Sequence, residues 1–243
     1  MNLDYAQTMT LADAVIQGTD DLWKTQIFFA PSFPFMMDIG LKTKQRTNIF
    51  SSAQNCSGKK NGAFTGEVSA SMLKSIGTDA VIVGHSERRL YFNETNQQIA
   101  EKINCALENE LLPIICYGES KEQRDAGAQF EIIETQIKNS LFHLSDSQMS
   151  KVIIAYEPVW AIGTGVNATP LEVEEIHLFI RTLIKDKFGK EVSEKTRILY
   201  GGSMNSKNSA DIFSCGNVDG GLVGGASLKA DEFISIIKTL EGL

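Results

Sequence analysis

Short apolar runs alternate with amphipathic segments along the whole chain. Seven runs read as strands: residues 26–30, 48–53, 80–84, 112–117, 152–156, 197–200 and 220–223. Each is short, apolar and rich in β-branched or aromatic residues, as expected of parallel strands buried on both faces. Helical patterns lie between them, the clearest over residues 93–109 and 169–188. The second opens on Thr169 as N-cap and Pro170 as first helical residue, with Glu172, Glu174 and Glu175 in its first turns. No linker or low-complexity tract divides the chain. Repeated βα units with short connections predict one domain over residues 1–243, built on a single parallel sheet that is either doubly wound or closed into a barrel. The count leaves a gap. A helical pattern over residues 8–18 has no strand before it. An eight-unit barrel would need one more strand there, and without it two unpaired edges would face each other.

Composition narrows the class of ligand. A length of 243 residues suits one α/β barrel. The formal net charge of −7 argues against a broad nucleic-acid surface. It also requires that positive potential for an anionic ligand come from a few side chains or from backbone N–H groups. Asp4 and Asp13 with no early basic cluster do not read as a signal or transit peptide. No apolar run is long enough to span a membrane. A soluble cytoplasmic protein with neither a membrane nor a nucleic-acid partner is expected. Cys56, Cys105, Cys116 and Cys215 form no C-x-x-C pair and match no zinc spacing. They read as buried free thiols, Cys116 as core, and no metal site is expected. His143, near a helix end, and His177, on an amphipathic helix, read as structural or solvated.

Chemistry is sought at the C-terminal ends of the strands, where barrels carry their functional groups. Residues 152–155 run into Tyr156-Glu157-Pro158-Val159-Trp160-Ala161-Ile162-Gly163-Thr164-Gly165. A carboxylate at a strand end, then proline, a bulky apolar stretch and glycines suit a base beneath a lid. Pro158 would stiffen one hinge, Gly163 and Gly165 would absorb rotation at the other, and Val159, Trp160 and Ile162 would exclude water. The bland alternative is a packed surface loop. Residues 80–84 end in His85-Ser86-Glu87-Arg88-Arg89 just before a helix. The helix N-terminus would favour a neutral imidazole able to hydrogen-bond a developing enolate oxygen; a capping and salt-bridge cluster is the alternative. The last two strands end in Gly201-Gly202-Ser203 and Gly224-Gly225-Ala226-Ser227. Two glycine pairs at consecutive strand ends, with Gly163 in the lid, point to a phosphate cradle rather than to two tight turns. The long loop 54–67 carries Phe64 near its end and reads as an interface, a lid or a compact surface loop.

Taken together, 53–55 with 62–67, 83–89, 155–165, 200–203 and 222–228 resemble the triosephosphate isomerase family, nearly end to end. The resemblance implies a (β/α)8 TIM barrel, of the α/β class, that interconverts dihydroxyacetone phosphate and D-glyceraldehyde 3-phosphate without a cofactor. It implies Glu157 as the base and His85 as the neutral electrophile. Gly163, Ser203, Gly224 and Gly225 become phosphate contacts, Trp160 part of the closing lid, and Glu87 part of the polar shell. The loop 54–67, through Thr65, becomes an arm that enters a second copy in a homodimer. In one respect the chain departs from the family pattern. The family's first strand, with its asparagine and lysine, is absent from this sequence, and Met1-Asn2 matches the Met-Asn pair that comes after that strand. The cation expected opposite Glu157 is therefore not among these residues, activity of this chain is expected to suffer for it, and a truncated, non-catalytic or strongly impaired phosphate-binding barrel is the alternative reading.

Overall fold

The computed structural model describes residues 1–162 and 167–243. Seven parallel strands, β1 (Ile27–Phe29), β2 (Ile49–Ala53), β3 (Ala80–Val83), β4 (Leu112–Tyr117), β5 (Ile153–Tyr156), β6 (Arg197–Tyr200) and β7 (Gly220–Gly221), form one sheet in sequence order. Cys116 and Tyr117 pair with Ala155 and Tyr156, and Tyr156 with Tyr200. That register sets the ends of β4, β5 and β6 side by side. The strands are those the apolar runs predict, shortened by a residue or two at several ends. β7 differs most: only Gly220 and Gly221 pair, although the Leu222 N–H still donates to Tyr200 O at 2.9 Å.

Alternation along the strands sorts side chains onto two faces. Ala80, Ile82, Ile114, Cys116, Ile153 and Ala155 form an inner cluster, joined by Phe28 of β1, Leu199 of β6 and Leu222 beyond β7. Contributions from both ends of the sheet to one cluster mean that the sheet is curled. The odd residues of β3 and the complementary set elsewhere, among them Val81, Val83, Ile115, Tyr117, Ile154, Tyr156, Ile198 and Tyr200, pack outward against helices. Those helices supply Ile99, Ile103, Ile133, Ile137, Ile176, Ile180 and Ile184. Near-continuous apolar runs are the consequence of burial on both faces.

Helix boundaries follow capping chemistry. Reciprocal capping boxes, Asp4 with Gln7, Thr95 with Gln98 and Thr169 with Glu172, open the helices Tyr5–Gly18, Asn96–Glu108 and Pro170–Phe188. The first box starts the N-terminal helix before residue 8. The second divides the segment predicted as one helix over 93–109. Asn93 caps the preceding helix Ser86–Phe92 in the left-handed region at φ 53°, and Thr95 starts the next. Cys56, Cys105 and Cys116 are buried free thiols, while Cys215 is only partly covered. His143 bonds Asn104 Oδ1 at 2.9 Å at the surface, and His177 is fully buried with Nδ1 on Asn217 O at 3.2 Å.

β1 and β7 each have one strand neighbour among the described residues, so helices join the two ends of the curled sheet. The helix Tyr5–Gly18 packs on Ala230–Glu241 around Val15, Leu22, Ile27, Ile49 and Ile237. Contact is tight: a Cβ at Gly18 would lie 2.4 Å from Ile234 Cδ1. The Glu241 carboxylate finishes the closure by accepting the backbone N–H groups of Trp23, Lys24 and Thr25 at 2.9, 3.0 and 2.7 Å. Desolvation, the largest single influence, opposes ionisation there, but the three donors together outweigh it and hold this carboxyl at about 2. Its folded value lies below the unfolded one of about 4.3, so its stabilisation is complete above the unfolded value and is lost as pH falls toward about 2. Glu241→Gln should destabilise the fold at neutral pH by roughly 1 kcal/mol after solvent screening. Denaturant unfolding of the two proteins should converge across that acid window; a constant difference down to the lowest pH would show that the carboxylate charge is not what closes the ring.

Candidate active site

Glu157 follows β5 directly and is 1% exposed. Its backbone N–H donates to Tyr117 O at 2.7 Å, extending the β4–β5 pairing past the last strand residue. Two glycines make room for it. A Cβ at Gly118 would lie 1.7 Å from the Glu157 carbonyl oxygen, and one at Gly201 would lie 2.9 Å from its Cγ. Only glycine lets the two neighbouring chains approach this closely.

The carboxylate is held at both oxygens. Oε1 lies 3.0 Å from His85 Nε2, and Oε2 accepts the Ser86 N–H at 2.8 Å. Burial raises the Glu157 carboxyl above the ordinary range, and the His85 ring, the Ser86 donors and the Cys116 thiol oppose that rise without cancelling it. His85 caps the helix Ser86–Phe92, its Nδ1 accepting the Glu87 N–H at 3.3 Å. An accepting Nδ1 carries no proton, so the neutral ring keeps its proton on Nε2, which donates to Glu157. Arg89, on the same helix, sets the ring's position by donating to Gly84 O at 2.9 Å and Cys116 O at 3.0 Å, at the ends of β3 and β4. Glu87 contributes mainly through its backbone: its carboxylate is 3.8 Å from His85 Nδ1 and 68% exposed.

Past Glu157 the chain makes a 3-10 turn, Val159–Ala161, anchored on two sides. Val159 N–H donates to Glu119 O at 3.1 Å, and Trp160 Nε1 donates to Glu119 Oε1 at 2.8 Å. On the other side the Ser203 N–H and hydroxyl both donate to Ala161 O, at 3.2 and 2.6 Å. Gly163, Thr164, Gly165 and Val166 lie outside the described residues; the phosphate contact expected of Gly163 and the hinge expected of Gly165 fall there.

The two glycine pairs differ. Gly201 and Gly202 are packing glycines: a Cβ at Gly202 would meet Tyr200 Oη at 2.2 Å and Pro158 Cγ at 3.0 Å. Gly224 and Gly225 are exposed, and a Cβ at either would meet nothing within 4 Å. A short 3-10 helix, Gly225–Leu228, starts at this second pair. Beside it lies a cavity of about 340 Å³ whose walls include Ser206, Lys207, Gly225, Lys229 and Glu232. Glu232 turns a carboxylate oxygen to the Ser206 N–H at 3.1 Å, while neither lysine is ion-paired among the described residues. The structure thus brings His85 and Glu157 together directly and sets Ser203 against the turn Val159–Ala161. Thr65 is exposed on the loop 54–67, with no hydrogen bond to the pair.

Nothing in the reading of the sequence singles out Glu119, which proves central. It is fully buried, and its Oε1 also accepts from Tyr156 Oη at 3.0 Å and from Arg124 Nη1 at 3.2 Å. The one signal was its position two residues past β4, matching that of other strand-end groups. Gly118, beside it, carried no signal, because its close approach to Glu157 exists only once β4 and β5 are paired.

A family model described as triosephosphate isomerase matches residues 1–240. A triosephosphate isomerase of Flavobacterium johnsoniae is 45% identical over 240 residues, 99% of this chain and 96% of the relative. That of Chloroherpeton thalassium is 45% identical over 242 residues, with the same coverage of both chains. That of Phocaeicola vulgatus is 54% identical over 185 residues, 76% of this chain and 73% of the relative. With a curled parallel sheet of βα units and a match to the family over nearly its whole length, the chain belongs to the triosephosphate isomerase family.

Proposed function

We propose that Glu157 and His85 carry the family's reaction in this chain, the interconversion of dihydroxyacetone phosphate and D-glyceraldehyde 3-phosphate. The observation that carries this reading is the 3.0 Å contact between a buried carboxylate and the Nε2–H of a ring whose other nitrogen is occupied. Glu157 removes a proton from the carbon next to the carbonyl. The His85 Nε2–H hydrogen-bonds the carbonyl oxygen as negative charge gathers there, gives it that proton and takes the proton of the neighbouring hydroxyl in return. The carbonyl double bond thereby passes to the other oxygen as the protonated Glu157 returns its proton to the former carbonyl carbon. Protons move and no electrons leave the substrate, so a base and an electrophile suffice and no cofactor is invoked. Both carboxylate oxygens are now occupied, so substrate must draw Glu157 away from the Ser86 N–H for its oxygen to reach carbon.

Phosphate is placed at the exposed Gly224–Gly225 turn, with Ser203 and Gly163 as further contacts. The open space at that turn supports the assignment, as do Lys207 and Lys229 on the wall of the adjoining cavity. These lysines supply local positive potential in a chain of net charge −7. Trp160 belongs to the lid that excludes water, and Glu87 to the polar shell through its N–H. A homodimer forms through the loop 54–67, Thr65 included. Its support is exposed apolar surface: Phe64 on that loop, with Leu90, Tyr91 and Phe92 exposed at the end of the helix Ser86–Phe92. Free cysteines fit a reducing cytoplasm, and no helix among the described residues is long and apolar enough to cross a membrane.

Glu157→Gln should lower kcat for aldose–ketose interconversion by about 10²–10⁴-fold, the usual contribution of a positioned base. Full activity in that variant would remove Glu157 from the role. Because burial raises the Glu157 carboxyl, kcat/KM should fall on the acid side at a pH above the ordinary glutamate value of about 4.3; an acid limb at or below that value would contradict the buried base. Sedimentation should give a dimer for the parent chain and monomer for Phe64→Asp, and a monomeric parent at micromolar concentration would refute the dimer.

A further inference from the structure

The end of β4 is gripped from outside by one side chain. Gln136, half-buried on the helix Gln129–Leu141, accepts the Gly118 N–H on Oε1 at 3.0 Å and donates from Nε2 to Gly118 O at 2.9 Å. Its carboxamide satisfies both polar groups of one residue, as a neighbouring strand would. One turn further, the Ser140 hydroxyl lies 2.7 Å from Tyr117 Oη and donates to Gln136 O at 2.6 Å.

The opposite side of the same segment carries the base. Tyr117 O accepts the Glu157 N–H, Glu119 O accepts the Val159 N–H, and Gly118 lies flat against the Glu157 carbonyl. Residues 117–119 therefore form a rail, with Glu157 and the start of the lid on one side and Gln136 on the other. Paired strands end at Tyr117 and Tyr156. Beyond that point the Gln136 amide bonds both polar groups of Gly118, while the backbone after β5 bonds the residues on either side of it. The Glu157 carboxylate must still turn between the Ser86 N–H and a substrate carbon, and that swing is reproducible only if its backbone is fixed. Misplacement by an ångström far from the reacting atoms is enough to cost orders of magnitude in rate.

We infer that Gln136 is a positioning residue for the reaction, acting through the Gly118 peptide on Glu157; the inference rests on Glu157 being the base. The amide touches no substrate and is not part of the phosphate cradle. Its loss should slow proton transfer and leave binding alone.

The test uses the full chain with Gln136→Ala, and with Gln136→Glu, which keeps an acceptor for the Gly118 N–H while losing the donor to Gly118 O. Ser193→Ala removes the part-buried hydrogen bond of Ser193 to Arg181 O, which involves none of residues 117–119, 136 or 157, and serves as a stability control. Measured well below each melting midpoint, Gln136→Ala should lose about tenfold in kcat with KM and competitive inhibition by inorganic phosphate within twofold of the parent. Gln136→Glu should fall between, and covers the case in which the alanine variant does not fold. A larger primary isotope effect on kcat, with substrate deuterated at the carbon that loses its proton, should accompany the loss. Ser193→Ala should match the drop in melting midpoint without these changes. Parent-like kcat and isotope effect in a destabilised but folded variant would reduce Gln136 to a structural role and overturn the inference. Equal losses in kcat and phosphate binding would overturn it too. A parent chain that binds phosphate but catalyses no interconversion would overturn the assignment of Glu157, and this inference with it.

Discussion

The buried Glu157 carboxylate is the constraint on which the rest of the site depends. A charge removed from water must be met by donors; here the His85 Nε2–H and the Ser86 N–H, at the start of a helix that follows β3, meet one oxygen each. The two strands that carry them are not adjacent, since β4 lies between β3 and β5. The reach across β4 is made possible by Gly118 on one flank of Glu157 and Gly201 on the other, neither of which leaves room for a Cβ. Arg89 then ties the His85 helix to the ends of β3 and β4, so donor and acceptor are located by the same strands.

The tautomer of His85 is a product of the same economy of backbone groups. Helix starts leave N–H groups without partners; at Ser86–Phe92 one of them goes to His85 Nδ1 and another to Glu157. A single helix N-terminus therefore orients the His85 ring and restrains the Glu157 carboxylate. The turn Val159–Ala161 is held in the same manner. Glu119, buried against it, accepts from Trp160, Tyr156 and Arg124, while Ser203 donates twice to Ala161. The turn is thereby joined to the ends of β4, β5 and β6.

Much of this was legible in the sequence, and particular residues show why. His85 and Glu157 stand directly at the ends of apolar runs, where position relative to a strand is a local property. Thr169-Pro170 marks its helix start for the same local reason. The break after Asn93 was less visible, because a capping box at Thr95 and Gln98 competes with an otherwise continuous amphipathic pattern. The glycine pairs were identical as text and different as structure: Gly201-Gly202 yields to neighbouring side chains, Gly224-Gly225 to open space.

The sequence by itself determined the succession of βα units, the two-faced burial of the strands and the strand-end placement of His85, Glu157 and Gly224-Gly225. These come from periodicity and from the limits that a residue's immediate neighbours set. Tertiary structure alone decided that Glu157 is clasped by His85 and Ser86 from two strands away. It also decided that Glu119 anchors the turn after Glu157, that Gln136 pairs with Gly118, and that Glu241 binds the first loop to the last helix. Each of those contacts joins residues far apart in the chain, through hydrogen bonds whose partners are fixed only when the sheet has curled and its register is set.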